Sequence, residues 1–257
     1  MTADLIAVER LDDDAIWRVA MGGSKGNVLD ARLMEALAAV VRDATDTAAL
    51  KAIVLEGQGA HFSFGASVSE HLPGSAAAML GRFHALLRAL LDMAVPTLAA
   101  VRGQCLGGGL EVMSLCHRVF AARDARLGQP EIALGVFAPV GSLVLADRVG
   151  RGHADDLCLS GRSVTAEEAL AMGLVDEVTD GDPADAALAW ARKHLAPKSA
   201  SSLRWAVRAA RAGLRARLEA ELPALERLYL DGLMSTRDAV EGLQAFLDRR
   251  PPAWSNR

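Results

Sequence analysis

Apolar and polar positions fall along this chain in blocks short enough to be read one at a time. Residues 5–10 (LIAVER) and 15–21 (AIWRVAM) are β-compatible runs separated by Asp12, Asp13 and Asp14, the pattern of two strands joined by a hairpin loop. Residues 27–42 set Leu33, Met34, Leu37, Val40 and Val41 on one helical face, with Asp30 placed to cap the N-terminus. A strand follows at 51–56 (KAIVLE), then a long helix at 75–93 with Met79, Phe83, Leu86, Leu87, Leu90 and Leu91 as its apolar stripe. The run 97–102 (TLAAVR), between Pro96 and Gly103, reads as a buried strand, 110–115 as a short helix and 117–122 (HRVFAA) as another strand. This alternation predicts an α/β fold. From residue 183 onward alanine, arginine and leucine recur at helical spacing and predict four helices, at 184–195, 199–212, 214–234 and 238–248. Ser199 and either Ser235 or Thr236 are expected as caps, and Pro251-Pro252 as the final stop.

With 257 residues, 51% of them hydrophobic, the chain has the material for a substantial core and is not a disordered segment. A net charge of −4 without any Lys/Arg-rich run argues against a nucleic-acid footprint. The most apolar region, residues 86–103, is broken by Arg88, Asp92 and Pro96, so no membrane span is expected; acids near the N-terminus likewise argue against a secretory leader. Cys105, Cys116 and Cys158 are odd in number and widely spaced, as expected of reduced packing thiols in a cytoplasmic protein. The six histidines are scattered, none paired at ligand spacing, and no metal site is expected.

The chemistry concentrates in residues 103–131, GQCLGGGLEVMSLCHRVFAARDARLGQPE. Gly107, Gly108 and Gly109 lie where a strand gives way to a helix, so backbone N–H groups there can meet an oxyanion without a Cβ in the way. Glu111 follows in the first helical turn; alone, such a residue is as readily a surface charge answering the helix dipole. Glu131, after Gln129-Pro130 and before the apolar run IALGVF, supplies a second acid at the entrance to buried sequence. Two carboxylates beside one oxyanion site can divide the work, one accepting a proton from water while the other donates one. No Ser-His-Asp set emerges, since Gly65-Ala66-Ser67 lacks the closing glycine of a nucleophile elbow.

These stretches resemble the crotonase (enoyl-CoA hydratase/isomerase) superfamily, in which a GGG turn is followed by Glu and a second Glu sits in a G-x-P-E segment. GQCLGGGLEV and GQPEIALG carry the likeness, with the two acids twenty positions apart, and FSFGAS at 62–67 and LSGRSVTAEEALAMGLVDEV at 159–178 extend it. The resemblance implies a spiral of β-β-α units over residues 1–190 and a C-terminal helical region, 191–257, that packs trimers, commonly paired into hexamers. It implies an acyl-CoA substrate, with coenzyme A entering as part of the substrate and no separate cofactor. It also implies amide donors at Ala66 and Gly108, catalytic roles for Glu111 and Glu131, and substrate contacts from Gly65, Ser67 and Gly107. Phe137 reads equally as a flat wall of the acyl pocket or as core. The implied reaction is hydration: Glu111 activates the water and Glu131 supplies the proton, or the two roles are reversed or shared.

Two departures separate this chain from common members. The loop after Gly65-Ala66 carries Ser67 and Ser69 where Asp and often Lys stand, and after Glu131 the usual P-G-x-G-G-T-Q run is replaced by GVFAPVGSLVLADRVG. The wording FGASVSEHLP, RGQCLGGGLEV and GQPEIALGVFAP is instead similar to the branch that hydrates cyclohexa-1,5-diene-1-carbonyl-CoA. A straight-chain hydratase or an isomerase is the alternative within the family. RNA-binding members rely on a lysine-rich helix, and the corresponding region here has only Arg32, Arg42 and Lys51. Arg204, Arg208 and Arg211 suit either CoA phosphates or a solvated helix face.

Overall fold

The computed structural model describes residues 5–257. β1 (Ile6–Leu11) and β2 (Ile16–Met21) form the expected hairpin, and Asp12, Asp13 and Asp14 all take left-handed φ in its turn. β2 continues in parallel through β3 (Ala52–Gly57), β4 (Thr97–Val101), β6 (Arg118–Ala122) and β9 (Glu177–Thr179) to complete a six-stranded sheet. A smaller sheet joins β5 (Gln104–Leu106), β7 (Arg126–Gly128) and β8 (Ser163–Thr165). Isolated parallel bridges, Leu29 to Ala66 and Ser63 to Cys105, extend this second layer.

Successive turns of chain repeat one course: a strand in the large sheet, a shorter extended piece in the second layer, then a helix. After β2 comes α1 (Ala31–Asp46), after β3 α2 (Ala76–Asp92), after β4 and β5 α3 (Gly108–Ser114), and after β6 and β7 α4 (Pro139–Ser160). This is the β-β-α spiral expected from the resemblance. Period-two alternation splits the large sheet between two cores. Trp17, Val19, Ile53, Leu55, Ala99, Val101 and Val119 face α1, α2 and α3, while Ile16, Val54, Leu98, Ala100 and Phe120 face α6 (Pro183–His194), the helix that follows the short α5 (Ala166–Ala171). Ala184, Ala187, Leu188 and Ala191 of α6 cover that outer face, and the division expected at residue 190 falls inside this helix.

Capping follows the sequence closely. Asp30 accepts from Leu33 N at 2.9 Å, Asp182 caps α6, and Ser199 caps α7 (Ala200–Arg227). Thr236, not Ser235, caps α8 (Arg237–Leu247). One expectation needs correction. The helices expected at 199–212 and 214–234 are one, because a Cβ at Gly213 would meet only open space and nothing there forces a break. α7 instead passes Pro223 and ends in a π-helical turn, Leu228–Gly232. α4 escaped the pattern reading because Gly141, Gly150 and Gly152 dilute its apolar periodicity; Pro139 starts it and Gly150, at φ 76°, kinks it.

Candidate active site

One wall of the site is made of backbone. The loop after β3 is held by Asn27, which is buried and donates through Nδ2 to Gln58 O at 3.0 Å and His61 O at 2.8 Å. Ser63 Oγ donates to Asn27 O at 2.8 Å and accepts from Gly65 N at 3.0 Å, so the chain reaches Gly65 in a fixed direction. Gly65, at φ 93°, then turns Ala66 toward the start of α3; a Cβ at 65 would stand 2.8 Å from Leu106 O and 3.2 Å from Gly108 N. Likewise a Cβ on Gly108 would lie 3.2 Å from Ala66 N and 3.1 Å from the Phe83 ring. The two glycines therefore keep open a shared space before two amides. Neither Ala66 N–H nor Gly108 N–H has an acceptor among the described residues, and Gly108 is the first residue of α3, where N–H groups lack intrahelical partners.

The facing wall is made of carboxyls. Glu111, 3% exposed, projects from α3 and accepts the N–H of Gly141 at 2.6 Å, so the N-terminal turn of α4 grips one of its oxygens. Burial, then the charge of Glu131, pushes the Glu111 carboxyl up to about 8, against the pull of the Gly141 and Val140 N–H groups. Glu131 stands on a 3-10 turn, Pro130–Leu134, and its Oε1 accepts from Gln129 Nε2 at 3.1 Å. Burial raises it to about 7, opposed by its own backbone N–H and by Gln129. Gln129 is 1% exposed, and the missing Cβ of Gly141 gives it room, since one would sit 3.2 Å from its amide. Gly107, at φ 51°, is required in the same way: a Cβ there would lie 2.6 Å from Glu131 Oε1.

Both walls line one cavity. Of the expected site residues, Gly65, Ala66, Gly107, Gly108, Glu111, Glu131 and Phe137 line it. Ser67 is not among the lining residues, and its hydroxyl meets Ser69 Oγ at 3.0 Å. Apart from His71, whose Nδ1 lies 2.8 Å from Ser67 O, and Tyr229, the rest of the lining is apolar and includes Met79, Leu80, Phe83 and Val136, with Phe137 edge-on to Tyr229 at 5.3 Å between ring centres. Tyr229, from the π-helical turn after α7, had no signal in the sequence. Its hydroxyl is buried without a partner among the described residues, as is Glu131 Oε2, an arrangement that costs roughly 1–3 kcal/mol per group until a ligand satisfies it. Asn27, Ser63, Gln129 and Gly141 were also missed, because each acts through contacts made only in the fold.

The arginines of α7 have other work. Arg204 donates to Thr47 O at 2.6 Å and Ala44 O at 3.1 Å, and Arg211 to Leu115 O at 3.2 Å and Cys116 O at 3.1 Å, tying the ends of α1 and α3 to α7. Arg208 lies over the Trp205 ring at 4.9 Å. The three cysteines are unpaired, and burial raises Cys116 to about 12 and Cys158 to about 11. Among the described residues no His, Cys, Asp and Glu cluster suits a metal ion, and no helix is long and apolar enough to cross a membrane.

A layered spiral with two free amides facing two buried carboxyls defines an acyl-thioester type of site. The profile of the Enoyl-CoA hydratase/isomerase family matches residues 13–257, and the chain belongs to that family. It is 49% identical to cyclohexa-1,5-dienecarbonyl-CoA hydratase of Thauera aromatica over 95% of both chains. It is 36% identical to 2,3-dehydroadipyl-CoA hydratase of Escherichia coli (strain K12) over 89% of both. Among solved structures, Pseudomonas aeruginosa DspI aligns with a TM-score of 0.78 at 30% identity, over 99% of this chain and 98% of that one. Enoyl-CoA hydratase from Bacillus halodurans, at 21% identity over 94% and 100% and a TM-score of 0.86, is alike in fold.

Proposed function

We propose that this protein is a hydratase that adds water to an α,β-unsaturated acyl-CoA, with cyclohexa-1,5-diene-1-carbonyl-CoA preferred over straight-chain enoyl-CoA. The observation that carries this reading is the meeting of two raised carboxyls, Glu111 and Glu131, with two acceptor-free amides, Ala66 and Gly108, in one cavity. The thioester carbonyl would accept both amides, which stabilise the enolate-like charge by on the order of 3 kcal/mol per donor. Near neutral pH the two carboxyls hold a single proton between them, so a base and an acid are present together. The ionised one takes a proton from water, the water oxygen bonds to the β-carbon, and the carbon–carbon π electrons move toward the carbonyl. The protonated one then delivers its proton to carbon. In a cyclic diene the charge spreads along the ring, so that proton can go to the far end, a 1,4-addition.

Support for a flat cyclic acyl group comes from the aromatic lining, Phe83, Phe137 and Tyr229, and from the 49% identity to a relative that carries the dienoyl-CoA name. The test offers cyclohexa-1,5-diene-1-carbonyl-CoA and crotonyl-CoA in parallel. Faster turnover of the cyclic diene is expected; a strong preference for crotonyl-CoA would reject the cyclic substrate, and hydration of neither would reject the hydratase reading. A homotrimer or a pair of trimers is proposed as the working state, supported by Leu228 and Phe246, 57% and 54% exposed on the C-terminal helices. The unpaired thiols support a reducing, cytoplasmic setting.

A further inference from the structure

Tyr229 is the chain's sole tyrosine, and among the described residues nothing pairs with its hydroxyl. Tyr229 is 1% exposed, its ring is set edge-on against Phe137, and the residue lines the same cavity as Glu111 and Glu131. A phenylalanine would fill that volume without leaving a buried oxygen open. The turn carrying it is anchored: His84, fully buried on α2, has Nδ1 2.6 Å from Oε1 of Glu226, three residues before Tyr229, and Arg88 reaches the same oxygen at 3.7 Å. Phe83, next to His84, lines the cavity, so one stretch of α2 forms a wall and holds the turn that presents the tyrosine. π-Helical turns of this kind recur at functional sites, where they re-aim a side chain. Burial, then the charges of Glu131 and Glu111, pushes the phenol well above its ordinary value, so it stays protonated and keeps an O–H to donate. Across the cavity, Glu131 Oε2 is buried and unpartnered too.

We infer that Tyr229 Oη and Glu131 Oε2 hold the reacting oxygen between them, as water before addition and as the new hydroxyl of the product afterwards. This rests on the hydratase reading above. A water has two O–H bonds and two lone pairs. The carboxyls engage its O–H bonds, the tyrosine donates to one lone pair, and the second lone pair is left to bond the β-carbon. One water proton passes to the ionised carboxylate as the C–O bond forms, and the carbon proton comes from the other carboxyl. Tyr229 keeps its own proton throughout and contacts the oxygen in both states.

The test is Tyr229→Phe, which keeps the ring and removes one oxygen. Affinities are measured for 6-hydroxycyclohex-1-ene-1-carbonyl-CoA and cyclohex-1-ene-1-carbonyl-CoA, and for 3-hydroxybutyryl-CoA and butyryl-CoA, alongside hydration of the corresponding unsaturated thioesters. The parent should bind the hydroxylated member of its preferred pair more tightly. The variant should bind the deoxy member within about twofold of parent and lose roughly tenfold in preference for the hydroxyl. Its kcat should fall about 10- to 100-fold with KM within about threefold. Retention of both the preference and kcat would overturn the inference, and so would equal losses of affinity for both ligands of a pair, the mark of a ring that only supports the fold. A parent that hydrates none of the thioesters would sink the hydratase reading and this inference together, a result visible without the variant.

Discussion

On one side of the cavity Ala66 and Gly108 present amides fixed by the backbone, whereas on the other Glu111, Glu131 and Tyr229 present side chains brought from three remote segments, with Glu131 Oε2 and the Tyr229 hydroxyl left without partners among the described residues. The amide side is neutral, needs only absent Cβ atoms, and tolerates no addition of volume. The carboxyl side is charged, sits where charge is costly, and is held by hydrogen bonds from the N–H groups of Gly141 and Val140 on Glu111 and from Gln129 on Glu131. The contrast separates what binds a developing oxyanion from what moves a proton: the first is a rigid shape, the second a tuned pair of titrations.

The comparison can be broken at either wall. The largest effect is expected from Glu111→Gln and Glu131→Gln, each of which removes half of the acid–base pair and should lower kcat about 10²- to 10⁴-fold while acyl-CoA binding stays within a few-fold. Near-parent turnover in either variant would separate the carboxyls from the chemistry. Gly107→Ala joins the two walls, because its methyl would press on the Glu131 carboxylate; a loss of about 10²-fold in kcat is expected, and an unimpaired variant would mean the carboxyl moves freely. Gln129→Leu is gentler. The lost hydrogen bond favours the ionised form of Glu131, so its removal should raise that titration and carry the acidic limb of the rate profile to higher pH, with about tenfold lower turnover at neutral pH.

Stability offers a separate check on the carboxyl side. Glu111 titrates near 8 in the folded chain against an ordinary 4.5, so the folded state binds the extra proton between those values. Parent stability therefore falls as pH rises from about 4.5 through about 8, and the penalty is absent at lower pH. Glu111→Gln lacks it, so thermal melts should find the variant stabilised relative to parent near pH 9, by on the order of a few kcal/mol, with little gain near pH 4. The smallest effect belongs to Ser67→Ala, expected to change kcat/KM by less than about twofold because the residue lies outside the cavity.

The two walls also differed in how far the sequence revealed them. Glycines mark the amide wall because they stand beside its donors in the chain: Gly65 precedes Ala66, Gly107 precedes Gly108, and both take positive φ, although the atoms their missing Cβ would meet, Leu106 O and Glu131 Oε1, come from other segments. Glu111 and Glu131 were legible as types through their neighbouring GGG and Q-P-E context, but their common burial arises only in the fold. α4 was hidden by its glycines, although one of them, Gly141, supplies the N–H that grips Glu111. Strands β5, β7, β8 and β9 have three residues each, too few for alternation to register. Tyr229 was the hardest to see, since its place depends on α7 running unbroken past Gly213 and on the anchoring of Glu226 by His84.

The most direct test of the shared-proton pair is the pH dependence of kcat/KM for hydration of cyclohexa-1,5-diene-1-carbonyl-CoA by the unmodified protein. With the pair titrating near 7 and near 8, no base exists below the first value and no proton donor above the second, so a narrow bell with its maximum between them is expected. A flat profile from about pH 5 to 9, or a single limb near the ordinary carboxylate value, would contradict it.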